Sequence, residues 1–555
     1  MISAISVCFC ALAYRVLDLS HFSRSRYLPI LEKTRHTTKR NHAKRGNILD
    51  CNGEILATSL SKIVIGVDPY AANIEKDREK ILVLADILSI QPETLFENFS
   101  KKKVMSNGKF FKRRWAPICL IDEVELLHAI ERLHIKGVYG VYKHIATYPF
   151  GSTCAHITGF MNRDGEAICG VEKYMDFYLR GQDGFIVSEK DGLSRELVQC
   201  RTQNIPATNG FDVVLTVDAK IQQMVADELK NIADAFHPEC ASIIVSDAIT
   251  GELLAMGNYP TYDPNDYGKY SPNDMRNRAV SDVYEPGSVF KIVSASLALE
   301  YGLVDDNTVL DCSQETVINR GVIVKLPKDH VAFGKLSYAD IIRRSCNRGI
   351  ALMALMLGER RMYDGARLFG FGSKAGYGFG SESSGILYPP EKWDAMTITR
   401  FPIGHCIAVT PVQMHYAMSV FANGGLLLAP QLFKSVNAGQ ETILKFSPKI
   451  RHRVLSKATA DRVRDILNNP YYSKLKCNMA YCGKTGTTQK IINGKYSHDR
   501  HVGSFSGFFP ADHPRIVVTV VVDDAHVSSG LAWGRVVAWP AFRSLAEKIY
   551  QYLDL

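Results

Sequence analysis

The sequence has no C-x-x-C pair, no H-E-x-x-H segment, no internal repeat and no low-complexity tract. The first two absences remove the common zinc, thioredoxin-like and zinc-protease patterns, although 13 cysteines and 16 histidines are present. The cysteines are scattered and odd in number, which reads as single buried thiols that sequence alone does not pair. No zinc-finger or RNP-type motif occurs, and a net charge of +9 over 555 residues permits attraction to an anionic surface without requiring nucleic acid. An uninterrupted run of about 20 apolar residues, enough to span a bilayer, is also missing. The nearest approach is Ile2 to about Leu19, interrupted by Arg15 and Asp18, with no basic n-region before it and no small-residue cleavage site behind it. This pattern argues for an anchor at positions 1–20 whose first residues lie upstream of Met1; a buried helix of a soluble protein is the alternative.

What is present suits a folded chain: 46% hydrophobic and 22% charged residues, with a length that implies two to four domains. Arg24, Arg26, Lys33, Arg35, Lys39, Arg40, Lys44 and Arg45 form a basic stretch expected to be a solvated face or stalk. Beyond it, Asn52-Gly53 between two apolar runs predicts a tight turn joining strands, and apolar spacing predicts helices over 75–88 and 123–133. The turn-forming run from Asn204 to Gly210 predicts the main boundary. The expected organisation is an anchor (1–20), an N-terminal domain (21–205) and a C-terminal domain (206–555).

In the C-terminal part, strands are predicted at 213–217, 241–246, 252–256, 504–509 and 516–522, with helices at 221–232 and 540–553. Strands at both ends with helices between them imply an α+β domain whose terminal segments share one sheet.

Three motifs carry the chemistry. Glu285-Pro-Gly287 leads into Ser288-Val-Phe-Lys291, at the start of an apolar helix running towards Gly302. A Ser and a Lys three residues apart on a helix share a face, and the helix N-terminus favours negative charge near the hydroxyl. Ser345-Cys-Asn347 lies between helical stretches, and Lys484-Thr485-Gly486-Thr487 is the only K-T-G in the chain, on a predicted strand. Gly486 is expected to let a substrate backbone lie close to that strand. Each short pattern is individually weak: S-x-x-K also occurs at Ser59, Ser100, Ser106 and Ser473, and S-x-N at Ser271 and Ser435. Their order and context are specific. His498 and His501 are read as part of a loop near the K-T-G strand, not as a metal site.

This ordered set resembles the penicillin-binding and serine β-lactamase superfamily. The likeness narrows to the class B penicillin-binding proteins, since Leu215-Thr-Val-Asp218, Thr250-Gly-Glu-Leu-Leu-Ala255 and Asn277-Arg-Ala279 look like that family's catalytic domain. Arg45-Gly46 with Asp50, Tyr148-Pro-Phe-Gly151 and Gly170-Val-Glu172 resemble its elongated pedestal domain. Asn347, Trp393, Thr410-Pro411 and Asn423-Gly-Gly425 favour the division-type, FtsI-like branch. Cys51, Cys346 and Gly404-His405-Cys406 depart from the residues usual there.

The resemblance implies an α+β penicillin-binding fold, mostly antiparallel sheet flanked by helices, behind a mixed pedestal domain and a short anchor. It implies a septal D,D-transpeptidase inhibited by β-lactams, on the outer side of the cytoplasmic membrane. Its partners would be a stem pentapeptide, a membrane glycan polymerase and other divisome proteins, with no metal, cofactor or nucleic acid. Ser288 would be the nucleophile, Lys291 the general base with its pKa lowered by burial and by Lys484, and Ser345 a proton relay oriented by Lys484. Asn347 would hold the substrate amide, with Thr485, Gly486 and Thr487 in the substrate-binding strand. An elongation-type transpeptidase, a β-lactamase, a β-lactam sensor and a non-catalytic division scaffold are the alternatives; the large N-terminal domain and the lack of several membrane spans argue against the lactamase and the sensor.

Overall fold

Arg15 and Asp18, the charges that interrupt the apolar N-terminus, lie three residues apart and pair at 2.6 Å, so each offsets the other on one helical face. The computed structural model describes residues 2–100, 102–104, 110–112, 115–191, 196–378, 380–469, 475, 479–492, 494–527 and 531–555. In it, helix Ile2–Leu17 runs into a wider turn at Asp18–Phe22. Ile5–Phe22 is the one stretch among the described residues long and apolar enough to cross a membrane, with mean hydropathy 1.4 over 18 residues. It fits a single-pass anchor by length and composition.

The described chain forms two units, and it passes between them more than once. The first comprises Met1–Gly46, Ser59–Ile145 and Tyr178–Phe211. Its basic stretch is built into regular structure: helix Arg24–Arg35 leads to strand His36–Asn41, which pairs antiparallel with Gly184–Lys190. The side chains of Lys33 and Lys39 lie outside the described set. The core of this unit packs Ile63, Ile65 and Val67 of strand Ile55–Val67 against helices Arg78–Ile87, Pro92–Ser100 and Val124–Arg132. Two of these fall within a few residues of the helices expected at 75–88 and 123–133.

The second unit comprises Asn47–Thr58, Ala146–Phe177 and Asp212–Leu555. Its Asn52-Gly53 turn forms as expected, with Gly53 at φ +91° and Asp50 Oδ1 accepting from the backbone N–H groups of Asn52 and Glu54. The main sheet uses strands β1 (Cys240–Asp247), β2 (Leu253–Tyr259), β3 (Cys482–Ile492), β4 (Lys495–Phe509) and β5 (Ile516–Asp523). All neighbours are antiparallel in the order β2-β1-β5-β4-β3. Segments from both ends of the domain share this sheet, but the strand expected at 213–217 does not: Asp212–Leu215 pairs with Ile48–Leu49 and Phe433–Ala438 in another. Of helices α1 (Ala219–Phe236), α2 (Lys291–Glu300), α3 (Asn347–Leu357), α4 (Pro411–Ala422) and α5 (Trp539–Leu553), α1, α4 and α5 pack on the sheet and α2 packs against α3.

One sheet face packs Ile243, Val245, Phe505, Val518 and Val520 against α1 and α5. Each such fully buried side chain contributes roughly 1.5–3 kcal/mol. Helix α4 is buried along its whole length, begun by a reciprocal cap between Thr410 and Gln413. The segment holding His498 and His501 is part of strand β4, with His501 opposite Gln489, and not a loop. Ladder pairing is made by the backbone, so it holds at His501 and again at Tyr496 and Lys495 without apolar side chains.

Candidate active site

The Ser288 turn follows from three local facts. Pro286 presets φ near −70°, Gly287 takes φ +56°, and Gly287–Val289 form one 3-10 turn ahead of α2. Ser288 therefore precedes the α-helix proper, which starts at Lys291. In 3-10 geometry residues three apart eclipse, so Ser288 and Lys291 share one side of the chain. Gly287 is required here twice over, because a Cβ would also meet Thr488 Cγ2 at 2.6 Å.

Ser345 occupies the junction between helix Tyr338–Arg343 and α3, at φ +58°. This left-handed position is uncommon for serine and closes the first helix through Ser345 N–H and Cys346 N–H donating to Ile342 and Ile341 carbonyls. The reversal turns the Ser345 carbonyl and hydroxyl towards Lys291, whose Nζ donates to them at 2.6 and 3.0 Å and to Asn347 Oδ1 at 2.5 Å. Three donors meet three acceptors. Asn347 Nδ2 donates to the Lys328 carbonyl at 2.7 Å, which orients the amide with its oxygen towards the lysine.

Lys291 is only 1% exposed and Lys484 4%. Burial disfavours the charged forms and pulls Lys291 down to about 8 and Lys484 to about 7. The Lys291 charge adds to the fall of Lys484, as repulsion between two neighbouring amines requires.

Strand β3 is the edge of the main sheet and packs its inner face on the nucleophile turn. Its alternation buries Lys484, Gly486 and Thr488 and leaves Thr485 and Thr487 half-buried. A Cβ on Gly486 would meet Pro286 O and Val289 Cγ2, each at 2.8 Å. The space left by the missing side chain is thus filled by the turn itself, which brings the K-T-G strand and Ser288 together. Thr487 Oγ1 accepts from Gly534 N–H at 3.0 Å and keeps its own proton to donate.

Two carboxylates with no role assigned from the sequence organise this site. Glu285 Oε2 accepts from His405 Nδ1 at 2.8 Å, Oε1 accepts from Cys406 N–H at 3.0 Å, and Tyr496 O–H is 3.1 Å from both oxygens. Its carbonyl accepts from Thr488 Oγ1 at 3.0 Å. Asp329 caps α3, and its neighbour His330 lies 4.7 Å from the Trp533 ring. Glu285 stood beside a motif, so its position could have flagged it; Asp329, in Leu326-Pro-Lys-Asp-His330, carries no spacing signal.

The incidental motifs dissolve in three dimensions. Ser59 and Lys62 lie on a strand, where residues three apart face opposite sides, and Lys62 pairs with Asp122. Ser100 Oγ donates to the Glu97 carbonyl, Ser271 Oγ to Asp274, and Ser435 sits in strand Phe433–Ala438. Ser106 and Ser473 fall outside the described residues. No group of three or more His, Cys, Asp or Glu side chains suited to a metal occurs among the described residues.

Comparison with known proteins agrees with this geometry. The penicillin binding protein transpeptidase domain matches residues 241–547, and the penicillin-binding protein dimerisation domain matches residues 40–215. Stage V sporulation protein D of Bacillus subtilis is 31% identical over 518 residues, covering 90% of this chain and 76% of that protein. The peptidoglycan D,D-transpeptidase FtsI of Escherichia coli is 27% identical over 526 residues, 92% of this chain and 84% of that protein. The crystal structure of penicillin binding protein 3 from Mycobacterium tuberculosis, complexed with aztreonam, aligns with a TM-score of 0.68 at 26% identity, covering 93% of this chain and 98% of that one. With its transpeptidase domain matched over more than half its length and a dimerisation domain before it, the chain belongs to the class B penicillin-binding proteins, a family of serine-dependent peptidoglycan D,D-transpeptidases.

Proposed function

We propose that this chain cross-links peptidoglycan stem peptides during septal wall synthesis, through an acyl-enzyme on Ser288 that β-lactams intercept. The observation that supports it most is the meeting of Lys291 with Ser345 and Asn347, beside a K-T-G strand packed on the Ser288 turn.

In the proposed reaction, Ser288 Oγ attacks the carbonyl of the penultimate D-Ala, while neutral Lys291 takes its proton. Ser345, 3.0 Å from Lys291 Nζ, passes a proton to the leaving amine, and the terminal D-Ala departs. Lys484 orients that exchange. Backbone N–H groups of Ser288 and Thr487 form the oxyanion hole, where one donor is worth about 3 kcal/mol. Asn347 keeps one amide N–H for the substrate, Thr485 and Thr487 hold the terminal carboxylate, and the edge of β3 around Gly486 pairs with the extended stem. The amine of a second stem then resolves the acyl-enzyme. This scheme requires neither metal nor cofactor.

Functionally, we assign residues 1–20 as the anchor, 21–205 as the pedestal and 206–555 as the transpeptidase domain, on the outer side of the cytoplasmic membrane. A membrane glycan polymerase and other divisome proteins are the proposed partners. Fluorescent penicillin tests the acyl-enzyme: stable labelling lost in Ser288→Ala is the expected result, and labelling of that variant would refute it. Cross-linking of lipid-linked substrate with a membrane glycan polymerase tests the full reaction.

A further inference from the structure

The Lys291 ammonium is held by the S-x-N motif, and the S-x-N motif is held by a residue outside all three motifs. Asp329 Oδ1 accepts from Asn347 N–H at 2.5 Å, and Oδ2 accepts from Arg348 N–H at 3.3 Å and from Cys346 Sγ at 3.4 Å. These are the first donors of α3, where a carboxylate also meets the positive end of the helix dipole. The preceding residue, Lys328, accepts from Asn347 Nδ2 through its carbonyl. Two successive residues of one loop thus fix both the backbone and the side-chain amide of Asn347.

We infer that Asp329 is a positioning residue of this site: its carboxylate seats the helix that presents Ser345 and Asn347, and places a fixed negative charge near the Lys291 ammonium. The inference rests on the acyl-transfer reading above. Burial drives Lys291 down, and the Asp329 charge opposes the fall. A carboxylate near an ammonium favours its charged form. Without it, Lys291 would be neutral at lower pH but would face a loosened Asn347.

Other groups face Asp329 and its surroundings. Arg348 extends to Ser313 O and Glu315, and Lys328 and His330 flank Asp329 in the loop. The Cys346 thiol, which donates to Asp329, is pushed up by its neighbour Cys312 and by burial. Lys484 is lowered by burial and by the Lys291 charge. His330, next to Asp329 in the chain, is given its own control.

The test is the second-order rate of acylation by a fluorescent penicillin between pH 5.5 and 10, on the full chain in detergent. Asp329→Asn retains an acceptor of the same shape and removes the charge; its ascending limb is expected to move about one unit to lower pH. Asp329→Ala also removes the cap and is expected to be about tenfold slower on the plateau, with an unchanged limb in His330→Gln. A purely structural role as a helix cap would change thermal stability without moving the limb. Superimposable limbs for wild type and Asp329→Asn would overturn the inference, as would a limb that moves equally in His330→Gln. Ser288→Ala separates the two failures: acylation in that variant refutes the acyl-transfer reading, whereas an inert Ser288→Ala beside an unmoved Asp329→Asn limb refutes the role of Asp329 alone.

Discussion

Lys291 Nζ donates to both the carbonyl and the hydroxyl of Ser345, 54 residues further along the chain, at 2.6 and 3.0 Å. The amine therefore reaches the S-x-N motif with full hydrogen bonding while almost wholly buried. That combination makes its proton available near neutral pH, because burial costs the charged form more than the neutral one.

Acylation is expected to depend on this proton. Lys291 is lowered to about 8, so the neutral base forms as pH rises through that value and the rate falls about tenfold per unit below it. Lys291→Arg cannot lose its proton and is expected to acylate at least about a hundredfold more slowly. Penicillin labelling across pH checks both; a flat profile would contradict the assignment.

The Ser288 turn is expected to reject any side chain at position 287. Gly287→Ala pairs a positive φ with a contact of 2.6 Å to Thr488 Cγ2. Strain of this kind costs about 1–3 kcal/mol, read as a lower melting temperature together with slower acylation. Gly165, at φ +81° with nothing near its Cβ position, serves as the control and is expected to lose less when replaced by Ala.

Glu285 ties the nucleophile turn to the Gly404-His405-Cys406 loop and to Tyr496 of β4. Glu285→Gln keeps the shape but loses the charge that gathers these donors, at an expected cost of about 1–3 kcal/mol. His405→Gln still offers an N–H and is expected to remain close to wild type. Thermal melting and penicillin labelling of the two variants side by side check the difference; equal losses would show that the donor's identity, not the carboxylate, matters.

Acid is expected to destabilise the fold through two buried imidazoles. His415, bonded to Ser246 and Thr519, is lowered to about 3, and His156 to about 4, both chiefly by burial. Unfolded histidine takes a proton near pH 6.5 while these remain neutral, so stability is intact above that pH and is lost as pH falls towards the folded values. At pH 5 each costs about 2 kcal/mol. Urea denaturation at pH 7.5 and 5 should show a smaller difference in His415→Gln than in wild type.

Local order was legible in the chain. Short apolar runs rich in Val and Ile marked the strands at 241–246 and 516–522, and Asn52-Gly53 marked its turn, because strand and turn preferences depend on a few consecutive residues. The three motifs were legible as an ordered set. The basic stretch is solvated as expected, with Arg24, Arg26, Arg35, Arg40 and Lys44 exposed, but its strand was not legible, since backbone pairing of His36–Asn41 with Gly184–Lys190 does not require apolar side chains. The segment with His498 and His501 misled for a similar reason: the pleat of β4 carries polar residues through the ladder.

The sequence by itself determined the candidate nucleophile, base and strand, and the alternation that buries Lys484 and Gly486 on one face. Only the tertiary structure decided which distant groups meet: Lys291 with Ser345 and Asn347, the K-T-G strand with the Ser288 turn, Asp329 with the start of α3, and Glu285 with His405 and Cys406. Periodicity is a property of neighbours in the chain, whereas burial and electrostatic influence depend on which distant segments the sheet register and helix packing bring together.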